Sequence, residues 1–446
     1  MSRTKKISVS RNISKTKSKT KSKTKSKTKS KTKKKIHIKD KPKTLRIILP
    51  NNSPGLLNDA KTYESIFIKY NFKVDFHIIN NKNILNKYYY ANLIIETLQY
   101  RCKYYFPSKY NIFMPNNELF IDTKEDNKNK SKNRYDRYEE LKNINIILCK
   151  TQICYKFFNF IKSEKKYKYS YQTVYTKFTT NIMNELQYDD NSSTHKIDHK
   201  IDPNLFIHLA GKSSFKNTPD LVYCWIKNNG FLDIDPDIKL VITCYGGCFQ
   251  WFNINLKNFY KYDFIKDNNV KMDKQKMIAT YKNMSIHFKP IETVKEYVDL
   301  LKKANVSICI SSKEGYGHYI NESRYTNKFI ITMNYPPMNE MVKDTDKDTD
   351  KYTDKDKDKD KNNKNGFDSN GILLKKKDKY IKQTYKETKF EFYEAYPNMD
   401  ELSDSIIWCI KNKNDLHKYG SNGRAMFDND RKYFENVLGK TIRDRL

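Results

Sequence analysis

Short apolar runs alternate with longer amphipathic stretches over most of the chain. In the first half, Leu45–Leu49, Lys73–Ile78, Asn92–Ile95, Asn111–Met114 and Asn145–Cys149 have the length and β-branched content of buried strands, with Thr173–Thr176 a further candidate. Helical periodicity covers Leu57–Lys69 and Thr151–Ile161. In the second half, strands are predicted at Leu205–Leu209, Lys239–Cys244, Ser285–Phe288, Val306–Ser311, Phe329–Met333 and Gly371–Leu374. Helices are predicted at Pro219–Lys227, Thr293–Lys303, Tyr319–Thr326 and Met399–Lys411, with a further amphipathic stretch from Arg424 to Val437. Strand–helix alternation of this kind implies parallel sheets covered by helices on both faces. Its occurrence twice predicts an α/β protein of two Rossmann-like domains, residues 45–195 and 196–446, with parallel sheets facing a cleft. The expected hinge is the polar stretch containing Asp189, Asp190, Asn191, Ser192 and Ser193.

Two segments break the pattern. From Lys15 to Lys33 every second residue is Lys, alternating with Ser or Thr, so this stretch cannot build a core. Residues 1–44 hold 19 Lys/Arg against one Asp, which is +18 of the net +34, so about half the excess charge says nothing about the folded part. Residues 343–365 repeat Asp-Lys and Asp-Thr-Asp-Lys units and read as a solvated insert, because patterned sequence resumes on both sides. The tail is a candidate contact for polyanions, a nucleic acid or an anionic membrane surface, or a repeat that only solvates. No run of 18 apolar residues is present, and a cytoplasmic location is expected. The eight cysteines form no CxxC pair and read as small buried hydrophobes.

The chemistry is concentrated between Val306 and Val342. An apolar strand ends in Ser311-Ser312-Lys313-Glu314, followed by Gly315-Tyr316-Gly317-His318 and a helix containing Glu322. Glycines let backbone approach a ligand closely, and the N-terminus of the next helix offers unpaired N–H groups to phosphate. Glu314 and Glu322, with seven residues between them, can grip two neighbouring groups of hydroxyls, such as a sugar and a ribose. Upstream, the strand Leu205–Leu209 leads into Gly211, Lys212 and Lys216, where two lysines can neutralise a diphosphate leaving group.

Glu314-x7-Glu322 resembles the E-x7-E motif of retaining family 4 glycosyltransferases. The wider run, with Pro336-Pro337-Met338-Asn339-Glu340 behind it, is similar to a subset of that family found in large DNA viruses. The resemblance implies the two-domain GT-B fold and transfer of a sugar from a nucleotide-sugar donor with retention of configuration. It places Glu314 on the donor sugar, Glu322 on the ribose, and the amides around Gly315, Tyr316 and Gly317 on the diphosphate. Gly211, Lys212 and Lys216 resemble the family's basic phosphate turn, although Lys212 stands where Arg is commoner, so a bidentate contact is not expected there. His318 is a candidate for a hydrogen bond to phosphate or sugar, or for a purely structural one. Pro54-Gly55-Leu56 looks like the loop that faces the donor across the cleft. Met114-Pro115-Asn116-Asn117-Glu118 and Leu148-Cys149-Lys150-Thr151 resemble two further strand-end loops on the acceptor side. The resemblance also implies that the departing phosphate accepts the acceptor's proton, so no general base is assigned.

No cofactor or metal is expected. The Asp-x-Asp pairs at Asp344/Asp346 and Asp348/Asp350 lie in the low-complexity insert, and Asp233/Asp235 precede a strand instead of ending one. The donor's base and sugar, and whether the acceptor is a glycan, protein or lipid, are not legible. Two other readings stand beside transfer: a nucleic-acid or anionic-surface binder acting through the tail, and a relative that binds a glycan or nucleotide without turning it over.

Overall fold

A computed structural model describes residues 42–51, 53–79, 87–96, 107–116, 140–163, 169–180, 200–246, 248–264, 266, 270–342, 370–375, 381–384 and 391–446. The Lys-rich tail up to residue 41, the polar linker at 189–193 and the insert at 343–365 lie outside the described residues, as do Asn117 and Glu118.

The first sheet takes its strands from the N-terminal half: β1 (Lys43–Leu49), β2 (Phe72–Ile78), β3 (Tyr89–Glu96), β4 (Ser108–Pro115), β5 (Ile146–Cys149) and β6 (Gln172–Tyr175). Their order is β2-β1-β3-β4-β5-β6, and every pairing is parallel. All four residues of β5 are buried, as expected for a central strand covered on both faces. Helix α1 (Pro54–Lys69) starts with a proline at its first position, where the missing N–H costs no hydrogen bond. It buries Ala60, Tyr63, Ile66 and Phe67 at helical spacing. Helix α2 (Gln152–Ser163) follows β5 and buries Cys154, Phe157, Phe158 and Ile161 on the other face of the sheet.

The second sheet comprises β7 (Leu205–Gly211), β8 (Lys239–Cys244), β9 (Lys271–Asp273), β10 (Ile278–Tyr281), β11 (Met284–His287), β12 (Val306–Cys309), β13 (Phe329–Met333) and β14 (Gly371–Leu374). The order is β14-β13-β12-β7-β8-β11-β10-β9. It is parallel from β14 to β11, and β10 and β9 close the edge as antiparallel strands. Between the strands lie α3 (Thr218–Lys227), α4 (Cys248–Tyr260), α5 (Val294–Lys303) and α6 (His318–Tyr325). A hairpin, β15 (Ile381–Thr384) and β16 (Glu391–Glu394), precedes α7 (Met399–Lys411) and the closing helix α8 (Leu416–Arg445).

The predicted strands and helices all appear. Four features exceed the prediction, the β15–β16 hairpin among them. Helix α4 is hidden in an Asn-rich run although Phe252 and Leu256 point inward at helical spacing. The β9–β10 edge is too short for a periodicity signal. The closing helix runs through Gly420, Gly423 and Gly439 for 30 residues. Gly55, expected in a loop, is the second residue of α1.

Pro42–Leu446 forms one compact unit, and α8 reaches both of its sheets. It starts against the second sheet, where Arg424 donates to the carbonyl of Tyr325. It ends on the first: Phe434 meets the rings of Tyr63 and Phe178, and Lys43 donates to the Leu446 carbonyl.

Candidate active site

In an open parallel sheet, ligands bind beyond the carboxyl ends of the strands at the point where strand order reverses. In the second sheet that point lies between β7 and β12, which are neighbours although 100 residues apart. The turns that leave these strands are Gly211–Asn217 and Ile310–Gly317. The Ser312 amide donates to the Phe215 carbonyl at 2.7 Å, fastening one turn to the other.

This juxtaposition brings Glu314 and Lys216 together. The Lys216 ammonium donates to Glu314 Oε1, and the Ser311 hydroxyl donates to the same oxygen. Ser311 is also hydrogen-bonded to the Tyr319 hydroxyl, and the Lys216 ammonium stands 3.8 Å from the centroid of the Tyr319 ring. The neighbouring Lys313 pairs with Glu394 at 2.6 Å, and the Ala395 amide donates to the Ser312 carbonyl. The strand-end turn is therefore held from both sides.

Glu322 is buried on α6, and its Oε2 accepts the Tyr297 hydroxyl from α5. Burial raises its pKa, partly offset by the charge of His318, the Tyr297 hydrogen bond and Lys216. Both glutamates thus lie at the reversal point with a cation beside the first. Lys212 is exposed, its stem packed beside Gly246. Gly211 makes the first turn with φ +62°, and Gly317 opens α6 with φ +97°, a conformation that L side chains rarely adopt.

Three of the remaining predicted positions face the first sheet. A Cβ on Gly315 would lie 1.7 Å from Asn116 Oδ1, so the glycine allows the turn to press against the end of β4. The buried Tyr316 hydroxyl donates to the Phe178 carbonyl at 2.6 Å and accepts from Asn321. His318 Nε2 lies 2.8 Å from Asp59 Oδ1 of α1, and its Nδ1 lies 3.4 Å from the Asn58 amide nitrogen. The second Asp59 oxygen takes Lys150 at 3.0 Å, with both side chains about 95% buried. Burial would raise the Asp59 pKa, but Lys150 and His318 outweigh it and hold the carboxyl below its usual value. Gly55 has nothing near its Cβ position.

Sequence reasoning assigned no role to Asp59, Ser311, Tyr297, Tyr319, Glu340 or Glu394. Glu340, behind the two prolines, accepts the Gln152 and Ile153 amides at 2.7 and 3.1 Å and so caps α2 from the opposite half of the molecule. Burial pushes its pKa up to about 7 against those two hydrogen bonds. No local pattern marks such a cap, since 188 residues separate donor and acceptor. The strand-end loop of Lys150 and Thr151 does reach the glycine turn, where Lys150 lies 5.6 Å from the Tyr316 ring centroid.

His208 is buried between the Ile308 carbonyl and Thr218, and burial lowers its pKa to about 4. Trp225 is core, donating to Asn283. Asp235 pairs with Lys413. Among the described residues no group of three or more His, Cys, Asp or Glu could hold a metal ion, and no helix is long and apolar enough to cross a membrane. A crevice of about 450 Å³ opens at the ends of β8 and β11, bordered by Thr243, His287, Lys289, Glu292, Glu296 and Leu300.

No protein-family model matches the sequence, and neither does any curated protein. Solved structures do match. The sucrose-phosphate synthase of Thermosynechococcus elongatus shares 10% identity at a TM-score of 0.55, over 90% of this chain and 98% of that one. A trehalose-6-phosphate synthase studied with bisubstrate glycomimetics shares 8% at 0.55, over the same proportions. HepE of Anabaena, in complex with UDP and glucose, shares 10% at 0.51, over 90% and 99%. At such identities the likeness is one of fold, and it agrees with the two parallel sheets and the returning final helix: the chain has the GT-B fold of glycosyltransferases.

Proposed function

We propose that this protein is a glycosyltransferase of the retaining, family 4 type, moving a sugar from a nucleotide-sugar donor to an acceptor hydroxyl. The observation that carries the reading is the meeting of Lys216 and Glu314 at the strand-order reversal, with Glu322 on the helix that starts at the glycine turn. A diphosphate beyond β7 and β12 would meet the Lys216 ammonium and the first amides of α6. Charge that develops on the leaving group is stabilised there by a cation already in place, which is where electrostatic catalysis is effective. Lys212, exposed on the same turn, supplies a second positive charge.

Glu314 would accept from sugar hydroxyls and Glu322 from the ribose diol. The crevice of about 450 Å³ borders Glu296 and Leu300, neighbours on α5 of the Tyr297 that holds Glu322, and so offers space for the base. In the transfer step the bond from the anomeric carbon to the phosphate oxygen breaks and a bond to the acceptor oxygen forms on the same face. The acceptor's proton passes to the released phosphate. Two structures of the same fold support this reading: HepE holds UDP and glucose, and the trehalose-6-phosphate synthase was studied for glycosyltransfer with retention.

The test is thermal unfolding of the full chain against a panel of nucleotides and nucleotide sugars, beside Glu322→Ala. A ligand at 100 times its Kd stabilises the folded state by about 2.7 kcal/mol. For a cooperative unit of this size that is a rise in Tm of about 3 °C. The expected result is one nucleotide series that stabilises the parent and not the variant, followed by sugar transfer with retained configuration. Equal stabilisation of parent and variant would remove Glu322 from the site, and no response to any nucleotide would refute the donor reading.

A further inference from the structure

Lysine carries its charge on a long, flexible stem, and the ammonium is strongly hydrated. A lysine that must meet a diphosphate needs something besides its substrate to hold it. Among the described residues, Lys216 pairs with Glu314 and stands over the ring of Tyr319. Glu314 is an unsteady anchor under the proposed function, because its oxygens are needed by the donor sugar. The ring is different. Tyr319 is buried in the first turn of α6, and its face lies 3.8 Å from the ammonium.

The hydroxyl of the same residue does something else. A serine hydroxyl has one proton, and the Ser311 proton goes to Glu314 Oε1. Ser311 Oγ must therefore accept from Tyr319, which makes Tyr319 the donor in that pair. Burial raises the Tyr319 pKa well above its usual value, so the phenol keeps its proton. A directed chain runs from Tyr319 through fully buried Ser311 to the Glu314 carboxylate.

Resting on the donor-site reading, we propose that Tyr319 is a positioning residue with two separable tasks: its ring holds Lys216 at the leaving diphosphate, and its hydroxyl, through Ser311, orients Glu314 on the donor sugar. The two tasks predict different kinetic signatures. Holding the lysine affects how tightly the diphosphate is bound. Orienting Glu314 affects the sugar as it reacts, and so affects kcat.

The experiment uses the full chain with Tyr319→Phe, Tyr319→Leu, Ser311→Ala and the Tyr319→Phe/Ser311→Ala double variant. Release of nucleoside diphosphate from UDP-glucose, UDP-N-acetylglucosamine and GDP-mannose, with water as acceptor, gives KM and kcat. Acetylation of Lys216 by a limiting dose of N-hydroxysuccinimidyl acetate, read by peptide mass spectrometry, reports on the lysine without a donor. Tyr319→Phe keeps the ring: KM and acetylation stay within about twofold of the parent, while kcat falls by about tenfold, the loss of the one buried hydrogen bond that orients Ser311 toward Glu314. Ser311→Ala reproduces that fall, and the double variant loses little more, because both substitutions break one chain. Tyr319→Leu removes the ring as well, raising KM by about tenfold and acetylation several-fold, in line with a desolvated cation–π contact. Identical behaviour of Phe and Leu, or additive losses in the double variant, overturns the proposal. If the full chain releases nothing from any donor while Tyr319→Leu still raises acetylation, the donor reading fails and only the ring's hold on Lys216 survives.

Discussion

Replacing Asp59 by alanine tests whether the charge cluster at the glycine turn holds the two halves together. Asp59 belongs to α1, Lys150 to the end of β5 and His318 to the start of α6, and both Asp59 oxygens are engaged, at 2.8 and 3.0 Å. Removing the carboxylate strands the Lys150 ammonium, about 96% buried in the parent, beside the rings of Phe178 and Tyr316 at 5.2 and 5.6 Å. A buried ion pair broken from one side costs about 3–5 kcal/mol, because the remaining charge is uncompensated. Cation–π contacts return no more than about 2 kcal/mol of that, and they are already present in the parent. With about 2.1 cal/mol/K of unfolding entropy per residue over Pro42–Leu446, the expected loss in Tm is about 4–6 °C. Differential scanning calorimetry of Asp59→Ala, Lys150→Met and the double variant measures it. The double variant should recover at least half of the Asp59→Ala loss, since it removes the stranded charge. If Asp59→Ala stays within about 1 kcal/mol of the parent, or if the two losses simply add, the pair is not buried and coupled as described and the reasoning fails.

Glu340 provides a pH test. Its folded pKa of about 7 lies above the carboxylate reference of 4.5, so its contribution is fully present below that reference and is lost as pH rises through about 7. Tm of Glu340→Gln minus Tm of the parent should therefore increase between pH 5 and 8, by the equivalent of up to about 3 kcal/mol. A pH-independent difference would contradict the burial of this cap. The variant comparison is needed because Lys328, whose pKa burial lowers to about 7, titrates in the same window with the opposite sign. Gly420 provides a packing test: on α8 a Cβ there would meet the Asn327 carbonyl at 2.0 Å. Gly420→Ala should lower stability by about 1–3 kcal/mol in denaturant titrations despite alanine's better helix propensity, and a stabilised variant would show that α8 does not lie against the Asn327 carbonyl.

Much of the architecture was legible because it rests on local periodicity. The runs from Leu45 to Cys149 and from Leu205 to Leu374 declare themselves as strands by composition, and the helices between them by an apolar stripe. Elements without such a signal escaped: α4 is diluted by asparagines, and β9 and β10 have three and four residues. The site was legible where it is contiguous. Glu314, Gly315, Gly317 and Glu322 lie within nine residues, and the strand–turn–helix context gives that spacing its meaning.

The amino-acid order by itself determined the strand–helix alternation, the glycine turn with its two glutamates and the basic turn of Lys212 and Lys216. The fold decided which of these meet and what encloses them. Sequence could not choose between Lys212 and Lys216 as the partner of Glu314, because that depends on β7 lying beside β12. Nor could it link Asp59 with Lys150 and His318, 91 and 259 residues away, or place the Glu340 carboxylate on the N-terminus of α2. Periodicity acts between neighbours in the chain. Pairing of buried charges is set by chain crossings, where desolvation makes an unpaired group costly and so fixes which distant residues come together.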